Sequence, residues 1–140
     1  MPPARHEHRL RVRYAETDQM GVVHHANYLL YLEESRTALM AARGCSYAEF
    51  ERSGWALPVR KAELRFRSPA RYEDGLLVRT WVQKIGPASV TFASEVWRES
   101  DQTLIATGAV ELACIEITTS SRRLAPLPAG LRQALESDPG

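Results

Sequence analysis

Hydrophobic residues follow different periods along the chain, and each period predicts a different kind of element. Leu10, Val12 and Tyr14 alternate with arginines, as is typical of a strand with one polar face. The segment 15–23 is interrupted by polar residues and a glycine, so we predict a loop there. A helical segment and a series of further strands follow this loop.

The longest periodic segment predicts a helix over residues 27–43. Its apolar residues recur with spacings of three and four, and more apolar residues extend this stripe around most of the helix. A helix of this kind usually lies at the centre of a fold. Gly44 suits the position after the helix end, where φ is positive, and Glu33 is spaced to pair with Arg36. The stripe comprises Tyr28, Tyr31, Leu32, Ser35, Leu39 and Ala42, extended by Leu29, Leu30, Ala38, Met40 and Ala41.

The second half of the chain is predicted to be mostly strand. Ser46 and Glu49 have the spacing of a capping box, which predicts a short helix over 46–53 before the strands begin. Alternation with period two then predicts four strands, with a bulge at Arg60–Lys61 where the phase slips. A frayed helix is predicted over 129–136. The predicted strands span 57–66, 76–85, 90–96 and 104–117.

This order of elements predicts an α+β fold in which one antiparallel sheet wraps around one apolar helix. The other face of the sheet carries charged residues mixed with Trp81, Trp97 and Ile105. Exposed apolar groups rimmed by polar ones often mark a subunit interface. We therefore expect the protein to be a homo-oligomer.

Length and composition favour one globular domain and argue against several classes of protein. The chain has 140 residues, 44% of them hydrophobic, and a net charge of +1. We expect one domain over 1–140, with a core at about 9–118 and a C-terminal tail at 119–140. Nucleic-acid binders usually have a basic excess, a membrane span needs about 20 apolar residues, and the first residues lack the apolar stretch of a signal peptide. We therefore expect a cytoplasmic protein with no nucleic-acid partner and no membrane span.

Candidate chemistry is concentrated just before the long helix. All four histidines lie in the first 25 residues, and the segment 14–28 contains Asp18, a glycine turn, His24 and His25. The first N–H groups of a helix have no intrahelical partner and lie at the positive end of its dipole. Such groups can stabilise a developing oxyanion. Asp18 is close enough in the chain to reach the same point, which favours an acyl-transfer or hydrolysis site.

Other interpretations of these residues remain open. Asp18 is also a good turn or cap residue. A metal site at His24 and His25 is disfavoured, because adjacent positions do not share a helix face and the two cysteines stand apart from each other. The sequence contains neither the motif of a nucleophile elbow nor that of a phosphate-binding loop. We predict no metal and no cofactor.

The segment 14–36, YAETDQMGVVHHANYLLYLEESR, resembles the signature of hotdog-fold acyl-CoA thioesterases. The groups that it resembles are 4-hydroxybenzoyl-CoA thioesterase and the thioesterase associated with the Tol-Pal system. Their pattern is a D-x-x-G-x-V motif and an N-Y pair, followed by a helical E-x-x-R. The resemblance covers about residues 9–135 and implies an antiparallel five-stranded sheet around a long central helix. The matching residues are Asp18, Gly21, Val23, His25, Asn27, Tyr28, Glu33 and Arg36.

The resemblance also implies roles for individual residues. Asp18 is expected to attack the thioester carbonyl or to activate a water. His25 is expected to bind the oxyanion through its backbone N–H, with the imidazole assisting by hydrogen bonding, and Tyr14 resembles a supporting tyrosine. His24 stands where an aromatic residue is usual in the acyl pocket. Further substrate-binding candidates are Asn27, Tyr28, Lys84 and Arg122, of which the last two, like Arg123, are also explained as solvated charge.

The expected function is hydrolysis of an acyl-CoA to the free acid and CoA. A thioester carbonyl is electrophilic and its thiolate leaves readily, so one carboxylate and an oxyanion site are enough. The expected assembly is a homotetramer, a dimer of dimers, with the active site at a subunit boundary. A non-catalytic hotdog domain that binds acyl-CoA or scaffolds a complex is one alternative, and a hotdog dehydratase or isomerase is another. The pair of Asp18 and His25 favours the thioesterase.

Overall fold

The computed structural model describes residues 5–118 and 120–136. The expected single domain also includes residues 1–4, 119 and 137–140, which lie outside the described ones. The helices are α1 (Asn27–Ala42), α2 (Tyr47–Arg52) and α3 (Ala129–Glu136), and a 3₁₀ turn spans Tyr14–Glu16. The strands are β1 (His6–Arg11), β2 (Trp55–Ala56), β3 (Val59–Phe66), β4 (Gly75–Ile85), β5 (Ser89–Arg98), β6 (Thr103–Ala113), β7 (Ile115–Ile117) and β8 (Arg122–Leu124).

A five-stranded antiparallel sheet in the order β1-β4-β5-β6-β3 wraps around α1. The α+β hotdog arrangement predicted from the sequence is therefore confirmed. The stripe of α1 that was predicted to be apolar is buried at Tyr28, Tyr31, Leu32 and Leu39, and Met40 is buried beside it. These side chains form much of the core. Full burial of one large apolar side chain stabilises the folded state by roughly 1.5–3 kcal/mol.

Small and hydroxyl side chains allow α1 to lie close to the sheet. A Cβ added to Gly108 on β6 would lie 2.8 Å from the Cδ2 atoms of both Leu32 and Leu64. Ser35, in the middle of the buried stripe, has its Oγ 2.7 Å from Oγ1 of Thr80 on β4. A buried hydroxyl needs such a partner, and this one explains a serine on the apolar face.

The strand predicted over 104–117 is interrupted, so that prediction was wrong. At Cys114 the backbone N–H donates to the carbonyl oxygen of Ala88, and the carbonyl oxygen of Cys114 accepts from the N–H of Ala125, both at 2.9 Å. These bonds end the pairing of β6, and β7 joins β2 and β8 in a second, three-stranded sheet. The predicted bulge at Arg60–Lys61 is confirmed by a register shift between Val59 and Lys61.

Ile105 is fully buried, so its predicted place on the outer face of the sheet was also wrong. Trp97 pairs with Leu104, whereas the preceding residue Val96 pairs with Ala106. Ile105 is therefore an extra residue in β6, and such a bulge shifts the alternation of faces by one position. Both tryptophans predicted for the outer face are half-buried.

The predicted helices are confirmed, with small changes at the ends of the chain. Gly44 follows α1 with φ of +83°. Tyr14 belongs to the 3₁₀ turn, so the predicted strand ends earlier than expected. In the segment predicted to be a tail, α3 buries Leu131 and Leu135 against the core. Within the described ranges, no helix is both long and apolar enough to cross a membrane.

Candidate active site

Asp18 opens a tight turn in the loop before α1. Its N–H donates to the carbonyl oxygen of Val22, its own carbonyl oxygen accepts from the N–H of Gly21, and both bonds measure 2.9 Å. Gly21 has φ of +79°, which a glycine adopts without steric cost. Oδ1 of Asp18 accepts from the N–H of Met20 at 2.8 Å. Oδ2 has no hydrogen-bond partner among the described residues, so one carboxylate oxygen remains available for chemistry.

Glu16 holds this loop in place through hydrogen bonds of its carboxylate and its backbone carbonyl. Its Oε1 accepts from the N–H of Arg13 and from the hydroxyl of Tyr31, each at 2.8 Å. Its backbone carbonyl oxygen accepts from the N–H of His24 at 2.8 Å and from Nδ2 of Asn27 at 2.9 Å. Burial disfavours the ionised form of Glu16, but the hydrogen bonds from Arg13 and Tyr31 outweigh it and keep the pKa below its usual value. The loop is therefore tied to α1 through one buried carboxylate and one carbonyl.

The N-terminus of α1 presents an unused backbone donor. The N–H groups of Asn27 and Tyr28 donate to the carbonyl oxygens of His24 and His25, at 2.9 and 3.3 Å, and the N–H of Ala26 donates to Nδ1 of His24 at 3.2 Å. In the part of the chain that the structure describes, the N–H of His25 has no acceptor. A donor at this end of a helix, where the dipole is positive, can bind an oxyanion.

A cleft of about 330 Å³ brings the carboxylate and the helix terminus together. Phe66, the last residue of β3, forms its far wall, with its ring centroid 6.5 Å from that of His25 and 5.6 Å from that of Tyr28. The cleft is wide open, since Phe66 is 54% exposed and Met20 is 78% exposed. The lining residues are Asp18, Met20, Val22, Val23, His25, Tyr28, Phe66, Arg67, Ser68 and Pro69.

Several residues predicted for the site do not line this cleft. Tyr14 is exposed and packs edge-on against Tyr72, with centroids 5.5 Å apart. His24 stacks on His25 with centroids 4.2 Å apart and lies outside the cleft. The side-chain amide of Asn27 is already used by the carbonyl oxygen of Glu16, which gives it a structural role in the loop.

Two other candidates lie on strands outside the cleft. Lys84 and Arg122 are exposed on β4 and β8, and neither is among the residues that line the cleft. The sequence argument missed Phe66, Arg67 and Ser68 as lining residues. The signal available for them was Pro69, which ends the strand that carries Phe66 and turns the chain back over the loop. Across residues 5–118 and 120–136, no group of three or more His, Cys, Asp or Glu side chains could hold a metal ion.

Comparisons with known proteins identify the family of the chain. The family model of the thioesterase-like superfamily matches residues 12–135. YneP of Bacillus subtilis (strain 168) is 34% identical over 93 residues, which is 66% of this chain and 67% of the relative. The acyl-CoA thioester hydrolase YbgC of Escherichia coli O157:H7 is 28% identical over 117 residues, or 84% of this chain and 87% of the relative.

The solved structures lead to the same family. The crystal structure of Slr0204, a 1,4-dihydroxy-2-naphthoyl-CoA thioesterase from Synechocystis, is 25% identical and superimposes with a TM-score of 0.86. The match covers 94% of this chain and 96% of that one. The family model spans most of the chain, and its match includes the loop, the central helix and the strand β3 that form the cleft. The chain therefore belongs to the thioesterase-like superfamily and is a hotdog-fold thioesterase.

Proposed function

We propose that the protein hydrolyses an acyl-CoA thioester to the free acid and CoA, with Asp18 as the catalytic carboxylate and the N–H of His25 as an oxyanion donor. The observation that carries this proposal is that Oδ2 of Asp18 and the N–H of His25, both without a hydrogen-bond partner among the described residues, belong to residues lining one cleft. The names of the relatives supply the substrate class, because YbgC is an acyl-CoA thioester hydrolase.

In the proposed reaction the thioester carbonyl lies between Asp18 and the N-terminus of α1. Asp18 either removes a proton from a water that attacks the carbonyl carbon, or attacks it directly to give an anhydride that water then hydrolyses. The negative charge that develops on the carbonyl oxygen is stabilised by the N–H of His25. The carbon–sulfur bond then breaks, and CoA leaves as a thiolate that takes up the proton lost by the water. In the direct route the oxygen of water remains in the acid, whereas in the anhydride route a water then cleaves the bond to Asp18, which releases the acid and restores the carboxylate.

The aromatic wall of the cleft supports a role in binding the acyl group of the substrate. Phe66, Tyr28 and His25 offer three rings to whatever occupies the cleft. Aromatic side chains bind flat, apolar groups well, and the acyl group named for Slr0204 is a naphthoyl group. We therefore expect aromatic acyl groups to be accepted as well as aliphatic ones.

A second copy of the chain is part of the proposal, because the cleft is open on one side. β3 is an edge strand of the sheet, and all of its residues except Leu64 are exposed. An exposed edge with unpaired backbone groups favours pairing with another strand. A copy packed there would cover Phe66 and exclude water from the cleft. We propose that the site lies at a subunit boundary of a homotetramer, a dimer of dimers.

The test is a hydrolysis screen with acetyl-CoA, decanoyl-CoA and benzoyl-CoA, in which release of the CoA thiol is measured. We expect turnover of at least one of them that exceeds the rate without protein. A folded, oligomeric protein that releases no thiol from any of the three would contradict the proposal. Tight binding of acyl-CoA without turnover would instead favour the non-catalytic alternative.

A further inference from the structure

A buried hydrogen bond joins the loop that carries Asp18 to the second turn of α1. The hydroxyl of Tyr31 donates to Oε1 of Glu16 at 2.8 Å, and the two residues are only 3% and 8% exposed. Burial and the bond to Glu16 raise the pKa of Tyr31, so its hydroxyl keeps the hydrogen and remains the donor. A hydrogen bond to an ionised carboxylate is stronger than one between neutral groups.

Glu16 links this hydrogen bond to both candidate catalytic groups. It precedes Asp18 by two residues, and its carbonyl oxygen accepts from the N–H of His24, which is the residue before His25. In the part of the chain that the structure describes, every hydrogen bond between the segment 14–18 and α1 is made to Glu16. The position of the Asp18 carboxylate relative to the N–H of His25 therefore depends on how Glu16 is held.

Neither partner of this hydrogen bond lines the cleft. Tyr31 reaches the cleft only through Tyr28, whose ring it contacts edge-on with centroids 5.7 Å apart. Any effect of Tyr31 or Glu16 on catalysis is therefore exerted through other groups. Such effects can be large, because displacing a catalytic group by about 1 Å can lower a rate by about 10²-fold.

We propose, on the basis of the proposed hydrolysis, that Tyr31 is a positioning residue for this reaction. Its hydrogen bond to Glu16 holds the loop at the distance from α1 at which Asp18 and the N–H of His25 act on the same carbonyl group. The loop keeps other attachments when this bond is lost, since the N–H of Val23 still donates to the carbonyl oxygen of Ala70. Loss of the bond therefore moves the loop without unfolding the protein.

The first test compares the kinetics of Tyr31→Phe with those of the wild type, on whichever of acetyl-CoA, decanoyl-CoA and benzoyl-CoA is hydrolysed fastest. Phenylalanine keeps the buried ring and removes only the hydroxyl. We expect kcat to fall about tenfold, as for the loss of one hydrogen bond to a charged group. KM should stay within about twofold of the wild-type value, because the cleft itself is unchanged.

Ser35→Ala is the matched control, because it also removes a fully buried hydroxyl from α1, one turn further along. Ser35 has its Oγ 2.7 Å from Oγ1 of Thr80 and makes no contact with the loop, so kcat should stay at the wild-type value. Glu16→Gln tests the same hydrogen bond from its other side and should also lower kcat. Adding Tyr31→Phe to Glu16→Gln should lower kcat little further, since both changes weaken one interaction.

A second measurement does not depend on turnover. Hydrogen–deuterium exchange of the segment 14–26, followed by mass spectrometry, should be at least about threefold faster in Tyr31→Phe than in the wild type. Ser35→Ala should exchange this segment at the wild-type rate. A wild type that releases no thiol would contradict the proposed hydrolysis, and unchanged exchange in Tyr31→Phe would show separately that Tyr31 does not hold the loop.

The proposal is overturned if folded Tyr31→Phe keeps the kcat of the wild type. It is also overturned if Ser35→Ala lowers kcat as much as Tyr31→Phe does, because Tyr31 would then contribute only to the stability of α1.

Discussion

At the scale of single residues, the site depends on what each group has left to offer after folding. Asp18 uses one carboxylate oxygen to stabilise the turn, and its other oxygen has no hydrogen-bond partner among the described residues. The N–H of His25 is likewise without an acceptor there, whereas the next donors at the start of α1 are satisfied by His24 and His25. Sequence reasoning could propose both residues as candidates because their motif is local. It could not identify Phe66, because only the folded β3 brings that ring to His25.

We predict that Asp18→Asn keeps the fold and the oligomer but lowers kcat by about 10²-fold or more. The amide oxygen of asparagine can still accept from the N–H of Met20, so the turn persists, whereas the base or nucleophile is lost. The measurements are thiol release, circular dichroism and light scattering on the same sample. Near-normal turnover by the folded variant would show that Asp18 is only a turn residue.

We predict that His25→Ala lowers kcat substantially. Alanine still presents the backbone N–H, so the fall in kcat measures what the imidazole contributes beside the carbonyl. Removal of one hydrogen-bond donor to an oxyanion typically lowers the rate ~10²–10³-fold. His24→Ala is the matched control, because His24 lies next in the chain but outside the cleft, and its kcat should stay close to that of the wild type. If folded His25→Ala keeps the kcat of the wild type, only the backbone role remains.

At the scale of elements, long periodic segments were predictable and interruptions were not. α1, α2, β4 and β5 follow from spacing and turn residues alone, and so does the bulge in β3. The break at Cys114 and the small sheet that follows depend on hydrogen bonds to residues far away in the chain. Apolar and polar residues continue to alternate across the break and into the small sheet. The pattern of apolar residues therefore cannot reveal either feature.

The loop before α1 is predicted to lose stability in acid through Glu16. Hydrogen bonds hold the pKa of Glu16 below its usual value, so its ionised form contributes stability above the unfolded pKa of about 4.3, and this is lost as the pH falls through the folded pKa. Glu16→Gln should therefore melt below the wild type at pH 7. The difference in Tm should shrink between pH 4.5 and 3, as followed by circular dichroism. A difference that stays constant over this range would show that the charge of Glu16 contributes nothing.

At the scale of the whole molecule, one chain alone leaves two features exposed to solvent. The edge strand β3 is exposed along almost its whole length, and the cleft at its end is open to solvent through Phe66 and Met20. The outer face of the sheet, the basis of the interface predicted from the sequence, is less apolar than expected, because Ile105 points into the core. The edge of β3 is thus the stronger candidate for subunit contact.

We predict that the protein is a homotetramer, or at least a dimer, at micromolar concentration. Light scattering over a dilution series measures the mass of the assembly, and the specific activity of each sample shows whether hydrolysis depends on assembly. Activity should fall together with mass, because the second copy closes the cleft. A fully active monomer would contradict both the assembly and the location of the site at its boundary.

The loop that carries Asp18 is held in place by chain that is synthesised much later. Val12 and Val23 donate their N–H groups to the carbonyl oxygens of Asp74 and Ala70, at 3.0 and 2.8 Å, and the helix after the loop packs against β4. Asp18 and His25 therefore leave the ribosome long before their supports exist. Since contacts distant in sequence form slowly, a nascent chain of fewer than about 75 residues would carry every residue of the motif and still lack the candidate active site.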